Sequence, residues 1–126
     1  MGLAPFVLIV DDDPDISTML KILLSRNGFS VAIATRVEQM AEILRSNTVN
    51  LFVLDMLLGG SNGLDICKKL KEDDQTSHIP LIMISGHADA KVAALESGAD
   101  DFLPKPFNIA DFLAKVTVLI NQEHIM

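Results

Sequence analysis

Residues 6–14, FVLIVDDDP, place five consecutive apolar residues, Phe6 to Val10, directly before three aspartates and Pro14. A strand buried on both faces of a parallel sheet has such a continuous apolar run. Proline suits the first turn of a helix, where its missing N–H is not needed, and Asp13 before it is a plausible N-cap. The stretch therefore predicts a buried strand, a short acidic loop and a helix.

The same alternation of an apolar run and an amphipathic stretch recurs along the chain. Four further strands are predicted, at residues 29–34, 51–54, 81–84 and 101–103. The segments between them carry apolar residues three and four positions apart, as Ala88, Val92 and Leu95 do before Gly98. This pattern predicts an α/β protein, with a five-stranded parallel sheet and five helices in a doubly wound three-layer sandwich.

Length and composition predict a single domain over residues 1–126, because this is the usual size of one domain and 49% of the residues are hydrophobic. The single cysteine, Cys67, excludes an internal disulfide, and we expect it to be a small core residue. No apolar run approaches the roughly 18 residues of a membrane span. Residues 1–6 lack the basic region of a secretory signal, so we expect a cytoplasmic protein that does not enter a membrane.

The net charge of −7 argues against direct binding to nucleic acid, whose phosphates require a basic protein surface. The one tight basic group, Lys68, Lys69 and Lys71, is followed directly by acidic residues at 72–74. We interpret these lysines as the solvated face of a helix.

Residues able to do chemistry follow the predicted strands, at the edge where open α/β sheets place their sites. They are Asp11 and Asp12 after the first strand, Asp55 after the third, Ser85 after the fourth and Lys105 after the fifth. Carboxylates at one edge repel one another and stay ionised only beside a cation, and oxygen ligands of this kind suit Mg²⁺. A hard cation beside a carboxylate, a hydroxyl and a lysine is what phosphoryl transfer requires.

From Phe6 to about Ile120 the chain resembles the receiver domain of bacterial two-component response regulators, in particular the single-domain receivers of chemotaxis. The motifs that carry the resemblance are Val10-Asp11-Asp12, Asp55 after an apolar strand, Gly63, Ser85-Gly86, residues 98–103 (GADDFL) and Lys105-Pro106-Phe107. The resemblance implies a flavodoxin-like fold with strand order 2-1-3-4-5. It also implies a signalling domain that catalyses only its own phosphorylation and dephosphorylation.

The resemblance implies that Asp55 is the phosphoryl acceptor. The phosphoryl group would come from a phosphohistidine on a sensor histidine kinase or a histidine phosphotransfer protein. Asp12 and Asp55 would bind Mg²⁺ directly, together with the backbone carbonyl of Leu57. Asp11 would act mostly through a metal-bound water.

The resemblance also implies how the phosphoryl group is held and how its arrival is signalled. Ser85 would hydrogen-bond it, and Lys105, ahead of a cis peptide bond to Pro106, would pair with it. Phe102 would turn inward as Ser85 moves towards Asp55, although a plain core aromatic is an equally good interpretation of Phe102. The surface of helix 4, strand 5 and helix 5 would then change for a downstream protein target, or for a homodimer formed through it.

Two residues beside the acceptor depart from the pattern of many receivers. Gly59 stands where proline is common, which predicts a more mobile loop because glycine costs more backbone entropy to order. Two positions near the site tune the lifetime of the phosphorylated form in such domains. At the first, Leu57 is apolar where some relatives place a polar side chain that orients a hydrolytic water. The second, two residues after Ser85, is occupied by His87. We expect slow self-dephosphorylation as a result.

Three other functions fit parts of the sequence pattern. Asp11 and Asp13 resemble the nucleophile motif of haloacid-dehalogenase-type phosphatases, but Asp15 stands where that family has threonine or valine. A flavodoxin-like cofactor binder needs a phosphate-cradling loop after the first strand, where this chain has a run of aspartates. A degenerate receiver that acts as a phosphorylation-independent scaffold is the third, and the intact set of site residues argues against it.

Overall fold

The computed structural model describes residues 4–58 and 60–124, and the predictions made for Gly59 and for residues 1–3 lie outside them. One sheet contains the parallel strands β1 Phe6–Val10, β2 Ser30–Ala34, β3 Leu51–Asp55, β4 Leu81–Ser85 and β5 Asp101–Pro104. Their order across the sheet is β2-β1-β3-β4-β5, which confirms the predicted topology. The predicted bounds of β2 to β5 each differ from these by one residue.

The described ranges contain five α-helices: α1 Pro14–Arg26, α2 Val37–Ser46, α3 Gly63–Glu72, α4 Lys91–Glu96 and α5 Ile109–His124. A 3₁₀ turn, Ala88–Ala90, precedes α4, and a short antiparallel ladder joins Leu57–Leu58 to Ser61–Asn62 between β3 and α3. Within the same ranges, no helix combines the length and the apolar character needed to cross a bilayer.

The sheet separates two hydrophobic cores, because alternate residues of a strand point to opposite faces. In β1, Leu8 and Val10 pack into the core that also holds buried residues of α2, α3 and α4, among them Cys67. Val7 and Ile9 pack into the other core, with residues of α1 and α5. This arrangement confirms the three-layer sandwich and the core position of Cys67.

The predicted apolar stripe of α4 is wrong. Val92 and Leu95 are 66% and 42% exposed, and the buried residue of this helix is Ala94. The predicted stripe assumes α-helical spacing from Ala88, but Ala88 lies in the 3₁₀ turn, where each residue rotates further about the helix axis than in an α-helix. The α-helix therefore begins later and presents a different face to the core.

The interpretation of the lysine group as a solvated helix face holds for Lys68 and Lys69 and is wrong for Lys71. The Lys71 Nζ lies 2.8 Å from Asp100 Oδ2 and donates to the carbonyl of Ile79 at 2.8 Å. Gly98 leaves room for this side chain, since a Cβ there would lie 2.8 Å from Lys71 Cγ. Lys71 therefore ties the end of α3 to the turn between α4 and β5.

Candidate phosphoryl-acceptor site

The loop after β1 brings one buried and one exposed carboxylate to the edge of the sheet. Asp11 is 2% exposed, its N–H donates to the carbonyl of Ala34 at 3.0 Å, and its Oδ1 accepts from the Asp13 N–H at 2.8 Å. Asp12 is exposed. Asp13 accepts from the N–H groups of Asp15 and Ile16, which confirms it as the N-cap of α1. The helix thus uses the Asp13 carboxylate, and the site keeps the other two.

Asp55 ends β3 and is 8% exposed. The N–H of Leu57 donates to Asp55 Oδ1 at 3.1 Å, and the N–H of Gly63 donates to the carbonyl of Met56 at 2.7 Å. A Cβ at Gly63 would lie 2.6 Å from the Asp55 carbonyl oxygen, so only glycine allows the first turn of α3 to pack this closely. The loop that follows Asp55 is therefore fixed from both ends.

The three aspartates form a cluster in which one carboxylate oxygen from each lies within 4.8 Å of the others: Asp11, Asp12 and Asp55. Burial raises the pKa of Asp11 from 3.8 to about 6; the Asp13 N–H and Lys105 oppose this rise, and repulsion from Asp55 adds to it. A bound cation would relieve both the burial cost and the repulsion, and oxygen ligands are what Mg²⁺ prefers. The residues present therefore fit the predicted magnesium site.

Lys105 extends into the cluster from the end of β5. Its Nζ lies 3.0 Å from Asp55 Oδ2 and 3.9 Å from Asp11 Oδ2, and its own N–H donates to the carbonyl of Ser85 at 2.7 Å. The Lys105–Pro106 peptide bond is cis, as predicted. The lysine thus provides a positive charge beside the carboxylate that the sequence marks as the acceptor.

Ser85 lies on β4, the strand beside the Asp55 strand in the sheet, and Phe102 lies one strand further away, on β5. Asp55 pairs with Ile84 in the β3–β4 ladder, and Ser85 is the next residue along β4. Ser85 is 1% exposed, and its Oγ accepts from the N–H of His87 at 3.0 Å. Phe102, on β5, is 4% exposed and packs in the core on the α2, α3 and α4 side. Both side chains therefore lie inside the protein.

A surface cavity of about 530 Å³ opens beside the acidic cluster; it is lined by Asp12, Leu57, Leu58, Gly60, Ser61 and Asn62. The side chain of Leu57 is 63% exposed on its wall. The cavity gives a small phosphodonor or a partner side chain a route to the exposed carboxylate of Asp12. The structure thus brings Asp11, Asp12, Asp55 and Lys105 together, with the backbone of Leu57 in contact with Asp55. Ser85 lies on the neighbouring strand, and Phe102 packs in the core one strand further away.

Two polar interactions near the site were not predicted from the sequence. The Leu57 N–H orients the Asp55 carboxylate, and any backbone group can do this, so the residue type gives no signal. The Lys115 Nζ contacts both carboxylate oxygens of Asp101, at 3.1 and 3.0 Å. Opposite charges on β5 and α5 were the only available signal for that pair.

Comparisons with known proteins give a consistent family assignment. A family profile described as the response regulator receiver domain matches residues 7–117. The transcriptional regulatory protein CpxR of Klebsiella pneumoniae is 38% identical over 120 residues, which cover 94% of this chain and 50% of that protein. The chain thus spans about half the length of the curated relatives it matches.

Solved structures show the same similarity at the level of the fold. A response regulator receiver domain protein from Methanospirillum hungatei superposes with a TM-score of 0.86 at 28% identity, covering 96% of this chain and 97% of that one. A two-component response regulator from Clostridium difficile superposes with a TM-score of 0.84 at 29% identity, covering 93% and 96%. The α/β architecture and its strand order are therefore shared with these proteins.

Proposed function

This chain belongs to the response regulator receiver domain family of two-component signalling, and we propose that Asp55 is its phosphoryl acceptor. The observation that carries the proposal is the contact of Asp55 with Lys105, 3.0 Å from Oδ2 to Nζ, inside a cluster of three carboxylates. A lysine beside a carboxylate stabilises the charge that builds up on phosphoryl oxygens during in-line attack. In the proposed step, a bond forms from an Asp55 oxygen to phosphorus while the bond from phosphorus to the partner's histidine nitrogen breaks.

The proposed magnesium ligands are Asp12, Asp55 and the backbone carbonyl of Leu57, with Asp11 acting through a water. When bound, Mg²⁺ would neutralise charge on the phosphoryl oxygens and on the carboxylates. The Leu57 N–H holds Asp55 Oδ1 in place, and Lys105 holds Oδ2, so the acceptor is oriented before any donor arrives.

We propose that phosphorylation moves the buried side chains of Ser85 and Phe102 and thereby changes the surface formed by α4, β5 and α5. Ser85 is next in the strand to the residue that pairs with Asp55, which gives its hydroxyl a short path to a phosphoryl group. On that surface Val92 and Leu95 are exposed, and exposed apolar side chains on a helix favour protein contacts. A downstream protein or a second copy of this chain would dock there.

The proposed partners are a sensor histidine kinase or a histidine phosphotransfer protein upstream, and a protein target downstream. With a net charge of −7, residues 1–126 are proposed to act as one receiver domain that signals through protein contacts and not by binding nucleic acid directly. A cytoplasmic location follows from this role, because the histidine kinase would deliver its phosphoryl group there.

The test is the intact mass of the protein after incubation with Mg²⁺ and a small phosphodonor. The wild type is expected to gain one phosphoryl group, and Asp55→Asn and the chelator-treated wild type are expected to gain none. Asp74→Asn is the matched control, since Asp74 is an exposed carboxylate after α3. A wild type that takes up nothing from this donor or from a phosphohistidine protein would favour the scaffold function instead.

A further inference from the structure

Two asparagines in this chain directly precede a glycine: Asn27 before Gly28, and Asn62 before Gly63. Such a pair can cyclise, because glycine has no Cβ to hinder attack by its backbone nitrogen on the preceding side-chain amide. The two pairs have the same chemistry and different surroundings. The structure therefore decides which of them reacts.

Asn27 and Gly28 lie in an exposed turn at the end of α1, with Gly28 in the left-handed region at φ +90°. The turn is a Schellman motif, in which the N–H of Phe29 donates to Leu24 at 3.1 Å and that of Gly28 donates to Ser25 at 3.3 Å. The Gly28 bond is long, and helix ends open locally at little cost in free energy. The nitrogen that would attack is thus held weakly.

Asn62 is the N-cap of α3 and Gly63 is its first residue. They follow the loop that comes after Asp55, which we call the acceptor loop. Asn62 Oδ1 accepts from the N–H of Leu64 at 2.8 Å, and the N–H of Gly63 donates to Met56 at 2.7 Å. Gly63 is buried, and its Cα approaches the backbone of Asp55 so closely that no Cβ would fit. Freeing this nitrogen would require the first turn of α3 to separate from β3.

We propose that Asn27 is a site of spontaneous deamidation and that the packing of α3 protects Asn62. The Gly28 nitrogen loses its proton to water and attacks Asn27 Cγ, the bond from Cγ to Nδ2 breaks, and ammonia leaves. Water then opens the cyclic imide to aspartate or isoaspartate. The net reaction converts a side-chain amide and water into a carboxylate and ammonium.

The product places a new negative charge at the C-terminus of α1, where the helix dipole is already negative. The hydrogen bond from Asn27 Nδ2 to the carbonyl of Leu23, 2.8 Å long, is lost with the amide. The change therefore loosens the end of α1. It occurs 13 residues, or about 20 Å along the helix, from Pro14, so the acidic cluster keeps its geometry.

The experiment incubates the full chain at mildly alkaline pH in water enriched in ¹⁸O, then digests it in ordinary water. Only deamidation that took place in the folded protein carries the heavy isotope, which separates it from deamidation during digestion. Trypsin cleavage after Arg26 and Arg36 gives a peptide whose one asparagine is Asn27, and cleavage after Arg45 and Lys68 gives a peptide that contains Asn62 together with Asn47 and Asn50. Fragment spectra of each peptide assign the labelled residue.

The expected result is that Asn27 converts at least about tenfold faster than Asn62 in the folded protein, since their openings differ in free energy. In guanidinium chloride the two rates should converge, because the dipeptides are then equivalent. Asn27→Gln should remove the first signal and leave Asn62 unchanged. Equal rates in the folded protein, faster conversion of Asn62, or conversion of Asn27 only after unfolding would each overturn the proposal.

Discussion

At the scale of the residue, Leu57 lies two positions after Asp55 with its side chain 63% exposed, on the wall of the cavity beside Asp12. A water that hydrolyses an acyl phosphate at Asp55 would have to approach from this open side. An apolar side chain offers that water no hydrogen bond, so it is poorly oriented for attack. We therefore expect a phosphorylated Asp55 to lose its phosphoryl group slowly.

Replacing Leu57 by asparagine is therefore expected to speed the loss of the phosphoryl group by about tenfold, because an amide can orient the water. The measurement is the decay of the phosphorylated intact mass with time after the donor is removed. Val118→Asn is the matched control, since Val118 is an exposed apolar residue on α5, 53% exposed. Equal decay in wild type and Leu57→Asn would show that this position does not set the lifetime.

The residues that could be predicted from the sequence are those whose position depends only on strand order. Asp55 and Lys105 follow buried strands, and parallel strands bring such residues to one edge, so their proximity needs no further information. The role of Lys71 could not be predicted, because Asp100 is distant in sequence and the contact depends on how the end of α3 lies against the turn between α4 and β5. The burial of Phe102 fits both interpretations made for it, a plain core aromatic and a switch.

At the scale of the element, helix faces could be predicted where the helix is regular from its first residue. In α3, Leu64, Cys67 and Leu70 face the core, as their spacing indicates, and Asn62 caps the helix. In α4 the preceding 3₁₀ turn changes which face of the helix is buried. The spacing of apolar residues in the sequence does not indicate where such a turn ends.

The start of α3 gives the element-scale prediction. Gly63→Ala is expected to lower the free energy of unfolding by about 2 kcal/mol or more, because its Cβ would meet rigid backbone at Asp55 and Met56. Urea unfolding measures this, and the same displacement of the acceptor loop should slow phosphoryl uptake.

Gly86→Ala is the matched control for that variant. A Cβ at Gly86 meets nothing within 4 Å, and like Gly63 it is not among the glycines with positive φ. Its unfolding free energy should therefore stay close to that of the wild type. Equal losses in the two variants would show that the loss does not come from the packing of α3 on β3.

At the scale of the whole molecule, the acidic cluster opposes the stability that the two cores provide. Burial and the neighbouring Asp55 raise the pKa of Asp11 from 3.8 to about 6, so the folded protein binds this proton more tightly than the unfolded chain does. The cost is absent below pH 3.8, grows as the pH rises towards 6 and is complete above it. A small domain unfolds as one unit, so this local cost appears in its global stability.

Asp11→Asn is therefore expected to stabilise the metal-free protein at pH 7, by on the order of 2 kcal/mol, with the gain shrinking towards pH 4. Asparagine retains an Oδ1 that can accept from the Asp13 N–H, so the loop keeps its hydrogen bond. The measurement is urea unfolding in chelator at several pH values, with Asp74→Asn as the control for loss of an exposed charge. Adding Mg²⁺ should reverse the ranking, because a cation that binds only the folded state stabilises the wild type by mass action. A variant that is less stable than wild type in chelator at pH 7, or a gain that does not change with pH, would show that the ionised Asp11 carboxylate does not destabilise the folded protein.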